Sequence, residues 1–348
     1  MTMDELDRKI LTELQREFPC VSEPFRKMGE MFGLSASETL GRIKRLKAEK
    51  VLRQVSAIFD TKSLGYKSTL VAMKFEQDEL NLGAEIINQH PGVSHNYRRN
   101  ADYNLWFTVA VPPYDSLEKT VAKLADLSGA INTLILPTLK LFKIGVKLDL
   151  AGQNSDATES KDEIYDESKR RHAPPDLTRE QIEAIRVLQE DIPLVERPFE
   201  KIGQESGFSE SRLFEIMKMM KEKGYLRRFA GILHHRNAGF AANNMVVWNV
   251  SEDKQDEVGA KMAQFPQVSH CYKRPVFPDW PYSLYTMIHG PKAEDCEKVV
   301  QKIVQVAGDW PRRNLYSTKE YKKIRLKYFT KELDEWWSRA NQETPLHA

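Results

Sequence analysis

Residues 14–76 lie over residues 188–250 without a gap. LQREFPCVSEPFRKMGEMFGLS meets LQEDIPLVERPFEKIGQESGFS, with Pro19/Pro193, Pro24/Pro198, Phe25/Phe199, Gly29/Gly203, Gly33/Gly207 and Ser35/Ser209 in step. One further residue sets His95 on His270, and four more set Tyr103 on Tyr282, where the second copy inserts VFPDWP. Near the end PTLKLFKIGVKL meets STKEYKKIRLKY, pairing Thr138 with Thr318 and Ile144 with Ile324. Such a period is far too long for a solenoid. The chain is a tandem duplication, and whatever one copy folds into, the other must fold into as well.

Within a copy, Leu6, Ile10, Leu11 and Leu14 fall at helical spacing, a short helix follows near 25–32, and Gly33-Leu34 turns the chain. Ser35 and Glu38 form a capping box before a third helix lined by Leu40, Ile43 and Leu46. Copy two keeps Phe214, Met217 and Met220 but has Arg212 where the box needs Glu. RQVSAIFD and RRFAGILH then alternate as strands, completing a winged helix-turn-helix. The remainder reads strand, helix, two hairpin strands, helix, strand, a ferredoxin-like order; the last strand of copy one spans about 132–148. The fold class is therefore α+β, a tandem duplication in which each copy is a winged helix-turn-helix followed by a ferredoxin-like βαββαβ domain. The boundaries fall at 1–60 and 61–150 for copy one, 151–176 for a linker, 177–235 and 236–330 for copy two, and 331–348 for a C-terminal tail. The linker is rich in charge, Ser and Pro and poor in apolar groups. Its role is to hold the copies together as an internal pseudo-dimer, from which a further homo-oligomer can be built.

At 348 residues, with 41% apolar and 29% charged, the chain suits soluble globular domains. Nowhere do about 18 apolar residues run together, so no membrane span is expected, and the acidic start MTMDELDRKILTELQ is not a secretory signal. Cys20, Cys271 and Cys296 stand apart, which argues against a zinc ribbon or disulfide scaffold and for a reducing cytoplasm. The net charge of +2 leans against DNA as the main partner.

The phrase VSHNYRR at 93–99 returns as VSHCYKR at 268–274. Strand alternation puts His95, Tyr97 and Arg99 on one face, and His270, Tyr272 and Arg274 on one face, with Asn96/Cys271 and Arg98/Lys273 on the other. Two copies of a polar stripe on a sheet need a reason. The bland reading is a set of satisfied core residues.

LDRKILTELQ and GLSASETLGRIKRLKAEKVL, with the unit that follows, resemble the Lrp/AsnC regulators, whose first domain binds DNA and whose second dimerises and senses small molecules. Within that superfamily, AIFDTKSLGYKSTLVA in copy one is similar to the A-type subunit of the siroheme decarboxylases. FAGILHHRNAGFAANNMVVW and VSHCYKRPVFPDWPYSLYTMIHG in copy two are similar to the B-type subunit. The resemblance implies loss of CO2 from the C12 and C18 acetates of siroheme, in an alternative haem pathway or that of haem d1. It implies no cofactor and no metal of the protein's own, since the iron belongs to the substrate.

Against a flat polycarboxylate macrocycle, guanidinium forks suit carboxylates and aromatic rings suit the π face. Catalytic candidates are His270, His95, Tyr272 and Tyr97, with His favoured as proton donor. Substrate-binding candidates are Arg99, Arg274, Lys273, Arg98, Trp280, Tyr282, Tyr285, His289, Trp248, Arg227, Arg228, His234 and Arg236. Axial ligation of the substrate iron by His270 or His289 is a further option. A single working site built mainly on copy two, completed by copy one, is expected. The competing functions are a transcription regulator, opposed by Glu210, Glu215, Met219 and Glu222 on the third helix of copy two, and a non-catalytic tetrapyrrole sensor.

Overall fold

The computed structural model describes residues 3–144, 175–233, 242–290 and 292–342. Copy one runs α1 (Glu5–Arg16), α2 (Pro24–Glu30), α3 (Ala36–Ala48), β1 (Leu52–Phe59), β2 (Lys67–Lys74), α4 (Leu80–Asn88), β3 (Val93–Arg99), β4 (Leu105–Val111), α5 (Leu117–Ser128), β5 (Asn132–Leu136) and β6 (Lys140–Ile144). Copy two runs α6 (Arg179–Leu188), α7 (Pro198–Ser206), α8 (Glu210–Glu222), β7 (Leu226–Leu233), β8 (Ala242–Trp248), α9 (Gln255–Ala263), β9 (Val268–Lys273), β10 (Leu284–Gly290), α10 (Ala293–Ala307) and β11 (Arg312–Lys323), and α11 (Lys331–Ala340) follows. Most of the segment expected as a linker lies outside the described residues, as do His234, His235 and Arg236.

The molecule divides by type of domain, not by copy. One unit gathers α1–α3, β1, α6–α8, β7 and Lys327–Phe329; the other gathers both ferredoxin-like segments and α11. In the first unit, capping boxes of Asp4 with Asp7 and Ser35 with Glu38 start α1 and α3, while α8 has only the Ser209 cap because Arg212 occupies the fourth position. The rings of Phe18, Phe25, Phe199 and Phe229 pack together between the copies. A wing was expected in each copy; among the described residues, one strand in this unit follows each third helix. β1 and β7 satisfy their backbones by pairing antiparallel with each other.

The second unit is one nine-stranded sheet in the order β5-β2-β4-β3-β11-β8-β10-β9-β6. Each copy keeps the ferredoxin-like order, fourth-first-third-second, as β5-β2-β4-β3 and β11-β8-β10-β9. The strand expected over 132–148 is two strands. Pro137, which has no N–H to give a ladder, ends β5, and β6 pairs with β9 of the other copy. β11 is continuous: Arg312–Tyr316 pair with β8 of its own copy, and Ser317–Lys323 pair with β3 of copy one. Each copy thus lends the end of its last strand to the other.

Three apolar clusters hold this unit. Helices α4 and α5 cover Val71, Leu105, Phe107 and Val109 of copy one, and α9 and α10 cover Val246, Trp248, Leu284 and Ile288 of copy two. On the opposite face, Ala72, Trp106, Leu134 and Leu136 meet Met245, Val247, Trp280, Tyr285 and Leu315 in a core shared by the copies. Residues 331–340, expected within a tail, form a helix that sinks Trp336 and Ala340 into the helix-side core of copy one.

Pairing registers correct the alignment in two places. Val247 opposes Tyr285 as Ala72 opposes Trp106, so Trp248 corresponds to Met73, where the ungapped match had set it on Lys74. Glu320 opposes Tyr97 and Lys323 opposes His95, while Leu141 opposes Tyr272 and Ile144 opposes His270. Glu320 therefore corresponds to Leu141 and Lys323 to Ile144, one residue away from the match of Ile144 with Ile324. A one-residue slip exchanges the faces of a strand, so this shift decides which charges meet each stripe.

Candidate active site

The two stripes lie on the sheet face that carries no helices. Their neighbours confirm the direction: Asn96 donates to Ala84 O and Asn88 Oδ1 of α4, and Cys271 lies against Gly259 of α9, on the helix side. His95 and Tyr97 stand with ring centroids 6.4 Å apart, His270 and Tyr272 at 6.0 Å and stacked. The Arg274 guanidinium lies 4.8 Å over the Tyr272 ring and 5.5 Å over that of Tyr285, and Arg99 lies 5.8 Å over Tyr97.

The arginines are the most unusual groups. Both are buried, each crosses to a carbonyl of the other copy (Arg99 to Leu315 O in β11, Arg274 to Leu136 O at the end of β5), and each keeps a buried Nε–H with no acceptor among the described residues. Among the described residues neither has a carboxylate partner. Burial pulls Arg99 down to about 10 and lowers Arg274 too, which leaves both charged at neutral pH. A buried cation with an unmet donor is costly unless an anion arrives.

The imidazoles are neutral at neutral pH. Burial, then the charges of His289, Arg274 and His95, lower His270 to about 4; burial and Lys323 lower His95 and His289. That His95 acts on His270, and Lys323 on both His95 and His289, places these four groups within one electrostatic neighbourhood. Burial pushes Tyr97 up to about 12, reinforced by Glu320, and raises Tyr272.

Each histidine is held by the serine before it. Ser94 Oγ lies 3.0 Å from His95 Nδ1 and Ser269 Oγ 2.8 Å from His270 Nδ1; Ser269 Oγ also lies 2.8 Å from His289 Nε2 and donates to Met287 O at 3.3 Å. Simple alternation put these serines on the other face. Both sit at a bulge: Val93 and His95 pair with adjacent Val109 and Thr108, and Val268 and His270 with adjacent Ile288 and Met287, leaving the serine unpaired and turned towards its histidine. Glu320, Lys323, Ser94 and Ser269 are thus part of the site and absent from the sequence-based set. The recurring VSH names the two serines in both copies without showing that a bulge turns them towards the histidines, and nothing in the sequence marks Glu320 or Lys323.

Other expected contacts lie elsewhere. Trp248 is fully buried beneath α9 and α10, donating to Thr286 Oγ1. Lys273 reaches Asp256 of α9, and Arg98 bears on Tyr321 at the helix side of copy one, so alternation removes both from the stripe. Trp280 and Tyr285 fill the shared core, hydrogen-bonded to each other at 2.8 Å; Trp280 packs on Trp106, Tyr103 and Tyr282, and Asp279 accepts from Tyr103. The VFPDWP insertion is thereby a plug between the copies. Arg227 and Arg228 lie on exposed positions of β7 in the other unit, and His234 and Arg236 fall outside the described residues. A recess of about 500 Å³ lined by Glu297, Asp309, Trp310, Pro311, Arg312 and Asn314 carries two carboxylates to one cation, a poor match for a polyanion. Among the described residues there is no group of three side chains set to hold a metal ion, and no helix long and apolar enough to cross a membrane.

Comparison with known proteins defines the class first. Residues 63–143 and 237–322 match the AsnC-like ligand binding domain, and residues 7–53 and 181–227 match the siroheme decarboxylase NirDL-like HTH domain. The siroheme decarboxylase of Hydrogenobacter thermophilus is 38% identical over 94% of this chain and 96% of its own. The siroheme decarboxylase beta subunit of Methanosarcina barkeri is 40% identical over 42% of this chain and 97% of its own. The crystal structure of the siroheme decarboxylase NirDL in complex with an iron-uroporphyrin III analogue superposes with a TM-score of 0.78 at 33% identity, covering 97% of this chain and 99% of that one. The chain belongs to the siroheme decarboxylase family.

Proposed function

We propose that this protein decarboxylates the C12 and C18 acetate side chains of siroheme, giving 12,18-didecarboxysiroheme on an alternative route to haem or to haem d1, in the cytoplasm. The observation that carries this reading is the pair of buried guanidinium groups, Arg99 and Arg274, with no carboxylate partner among the described residues. A substrate carboxylate supplies to each the anion that the fold withholds. The copies act as an internal pseudo-dimer, a reading supported by the reciprocal lending of β6 and β11.

The reaction breaks the bond between the acetate methylene and its carboxyl carbon, and the electron pair left on the methylene must take a proton. His270 is the donor in this reading and Arg274 the carboxylate anchor beside it, with Tyr272 stacked on the imidazole. Copy one contributes Arg99 and His95 as a second anchor for the same macrocycle. The iron is the substrate's. The asymmetry between Leu141/Ile144 and Glu320/Lys323 supports a single working site on copy two, because Glu320 against Tyr97 repels a carboxylate.

A regulator is disfavoured by the first unit. On α3, Arg42 is paired with Asp4 and Asp7, Arg45 with Asp7, and Lys47 with Asp191. These cations are neutralised within the fold, not held ready for phosphates. The test is anaerobic incubation with siroheme followed by mass spectrometry. Successive loss of one and then two molecules of CO2 is expected; an unchanged mass with a shifted Soret band identifies a sensor and defeats the proposal.

A further inference from the structure

The donor assigned to His270 meets a difficulty that the structure itself resolves. A neutral imidazole gives up an N–H proton poorly, since loss of that proton alone leaves an anion. It becomes a competent acid when its second nitrogen is protonated in the same step. At His270 the second nitrogen is Nδ1, 2.8 Å from Ser269 Oγ, and the same oxygen lies 2.8 Å from His289 Nε2. The bulge at Ser269 is what brings the hydroxyl into line between the two rings. Copy one keeps Ser94 and His95 at the corresponding places, but the register that sets Met287 opposite His270 and Thr108 opposite His95 places Ala110 where copy two has His289. Among the described residues, only one stripe therefore has a second imidazole behind the serine.

We infer that His289 and Ser269 form a proton relay that recharges His270 during decarboxylation, making copy two the proton-delivering half. This rests on the proposed reaction and deepens it. The C–C bond to the carboxyl group breaks, CO2 leaves, and its electron pair remains on the methylene carbon, which takes the proton from His270 Nε2 to become a methyl group. His270 Nδ1 takes the Ser269 hydroxyl proton, Ser269 Oγ takes the proton of His289 Nε2, and His289 Nδ1 takes one from solvent. The sum is one carboxylate and one proton giving CO2 and a C–H bond, with no oxidant or reductant. In the relay the Ser269 hydroxyl faces His270 Nδ1 at 2.8 Å, which leaves the imidazole hydrogen on Nε2; the longer 3.3 Å contact to Met287 O is the alternative orientation that the hydroxyl gives up. His289, half-buried, is the end of the relay that meets water.

The test compares wild type with Ser269→Ala, Ser269→Thr, His289→Ala and His270→Ala, each full length, assayed anaerobically with siroheme in H2O and in H2O/D2O mixtures. Ser269→Ala and His289→Ala are expected to lower kcat about tenfold to a hundredfold with KM within twofold. Ser269→Thr retains most of the rate, added imidazole restores His289→Ala but not Ser269→Ala, and the curved rate dependence on deuterium content becomes linear in Ser269→Ala. Wild-type kcat in both alanine variants overturns the relay. So does a raised KM at unchanged kcat, or a loss with neither imidazole rescue nor a changed isotope curve, which marks a merely structural role. Wild-type rates in His270→Ala overturn the donor and the relay together. A wild-type protein that leaves siroheme intact overturns the reaction itself, and is told apart from the other outcomes by that fact.

Discussion

Two residues concentrate the physical tension in this molecule. Arg99 and Arg274 are buried cations with no carboxylate partner among the described residues, and such a group lowers stability unless it is used. Replacing Arg274 with Met should leave the thermal midpoint unchanged or raised, because an unpaired buried charge is exchanged for an apolar group of similar length. The Kd for an iron-uroporphyrin analogue should rise by about 30-fold or more, equivalent to about 2 kcal/mol for removing one partner of a buried charged contact. Calorimetry with fluorescence titration checks both; a large fall in midpoint with unchanged affinity would show an arginine that serves the fold. His270 gives a second residue-scale expectation. Its folded value of about 4 lies below the ordinary 6.5, so as pH falls the unfolded chain takes the proton first. The resulting stability is complete above about pH 6.5 and is lost as pH drops towards 4, amounting to about 2 kcal/mol between pH 7 and 5. His270→Gln should lose correspondingly less over that interval in urea denaturation. Equal losses in both proteins would mean that His270 is not buried as a neutral group.

At the scale of elements, the exchange of strand ends is what makes the stripes unequal. β6 docks on copy two through Phe142, whose ring lies against Gly259 of α9; a Cβ there would stand 2.5 Å from two ring carbons. Gly259→Ala should therefore loosen β6 and destabilise the protein by about 1–3 kcal/mol, as overpacking does, lowering the thermal midpoint while the register of β11 on β3 is untouched. Hydrogen exchange confined to 140–144 and 268–273 is the check, and uniform protection loss would contradict it. The same elements show what the sequence could and could not disclose. Duplication, helix caps and the βαββαβ order were legible because they rest on local spacing and periodicity. The bulges at Ser94 and Ser269 were not, since alternation assumes an unbroken ladder. Nor was the slip that sets Glu320 against Tyr97, because a register is fixed by pairing with another strand and leaves no local trace. Trp248, Trp280 and Tyr285 were ambiguous for a related reason: large aromatic side chains suit a macrocycle and a core equally, and it is the strand face that puts Trp248 in the helix-side core and packing between the copies that puts Trp280 and Tyr285 in the shared core.

On the scale of the whole molecule, neither copy is a self-sufficient half. In the first unit β1 has its ladder partner, among the described residues, in β7 of the other copy, and the side chains of Phe18 and Phe25 pack with those of Phe199 and Phe229. In the second unit β3 needs the end of β11, β9 needs β6, and the shared core draws Ala72, Trp106 and Leu136 from one copy and Met245, Val247 and Trp280 from the other. Covalent continuity between the copies then contributes mainly a high effective concentration, and the contacts alone should specify the assembly. A chain cut within 151–174 and produced as two co-expressed pieces should form a one-to-one complex that survives purification through a tag on either piece and turns over siroheme at a rate close to that of the intact protein. Each piece alone should expose unpaired strand edges at β3 or β9 together with half of an aromatic core, and should aggregate or self-associate. Size-exclusion chromatography with light scattering reads the result directly. Two pieces that each remain folded, monomeric and active alone would show that one copy can build a working site without the other, which the crossing of Arg274 to Leu136 O and of Arg99 to Leu315 O forbids.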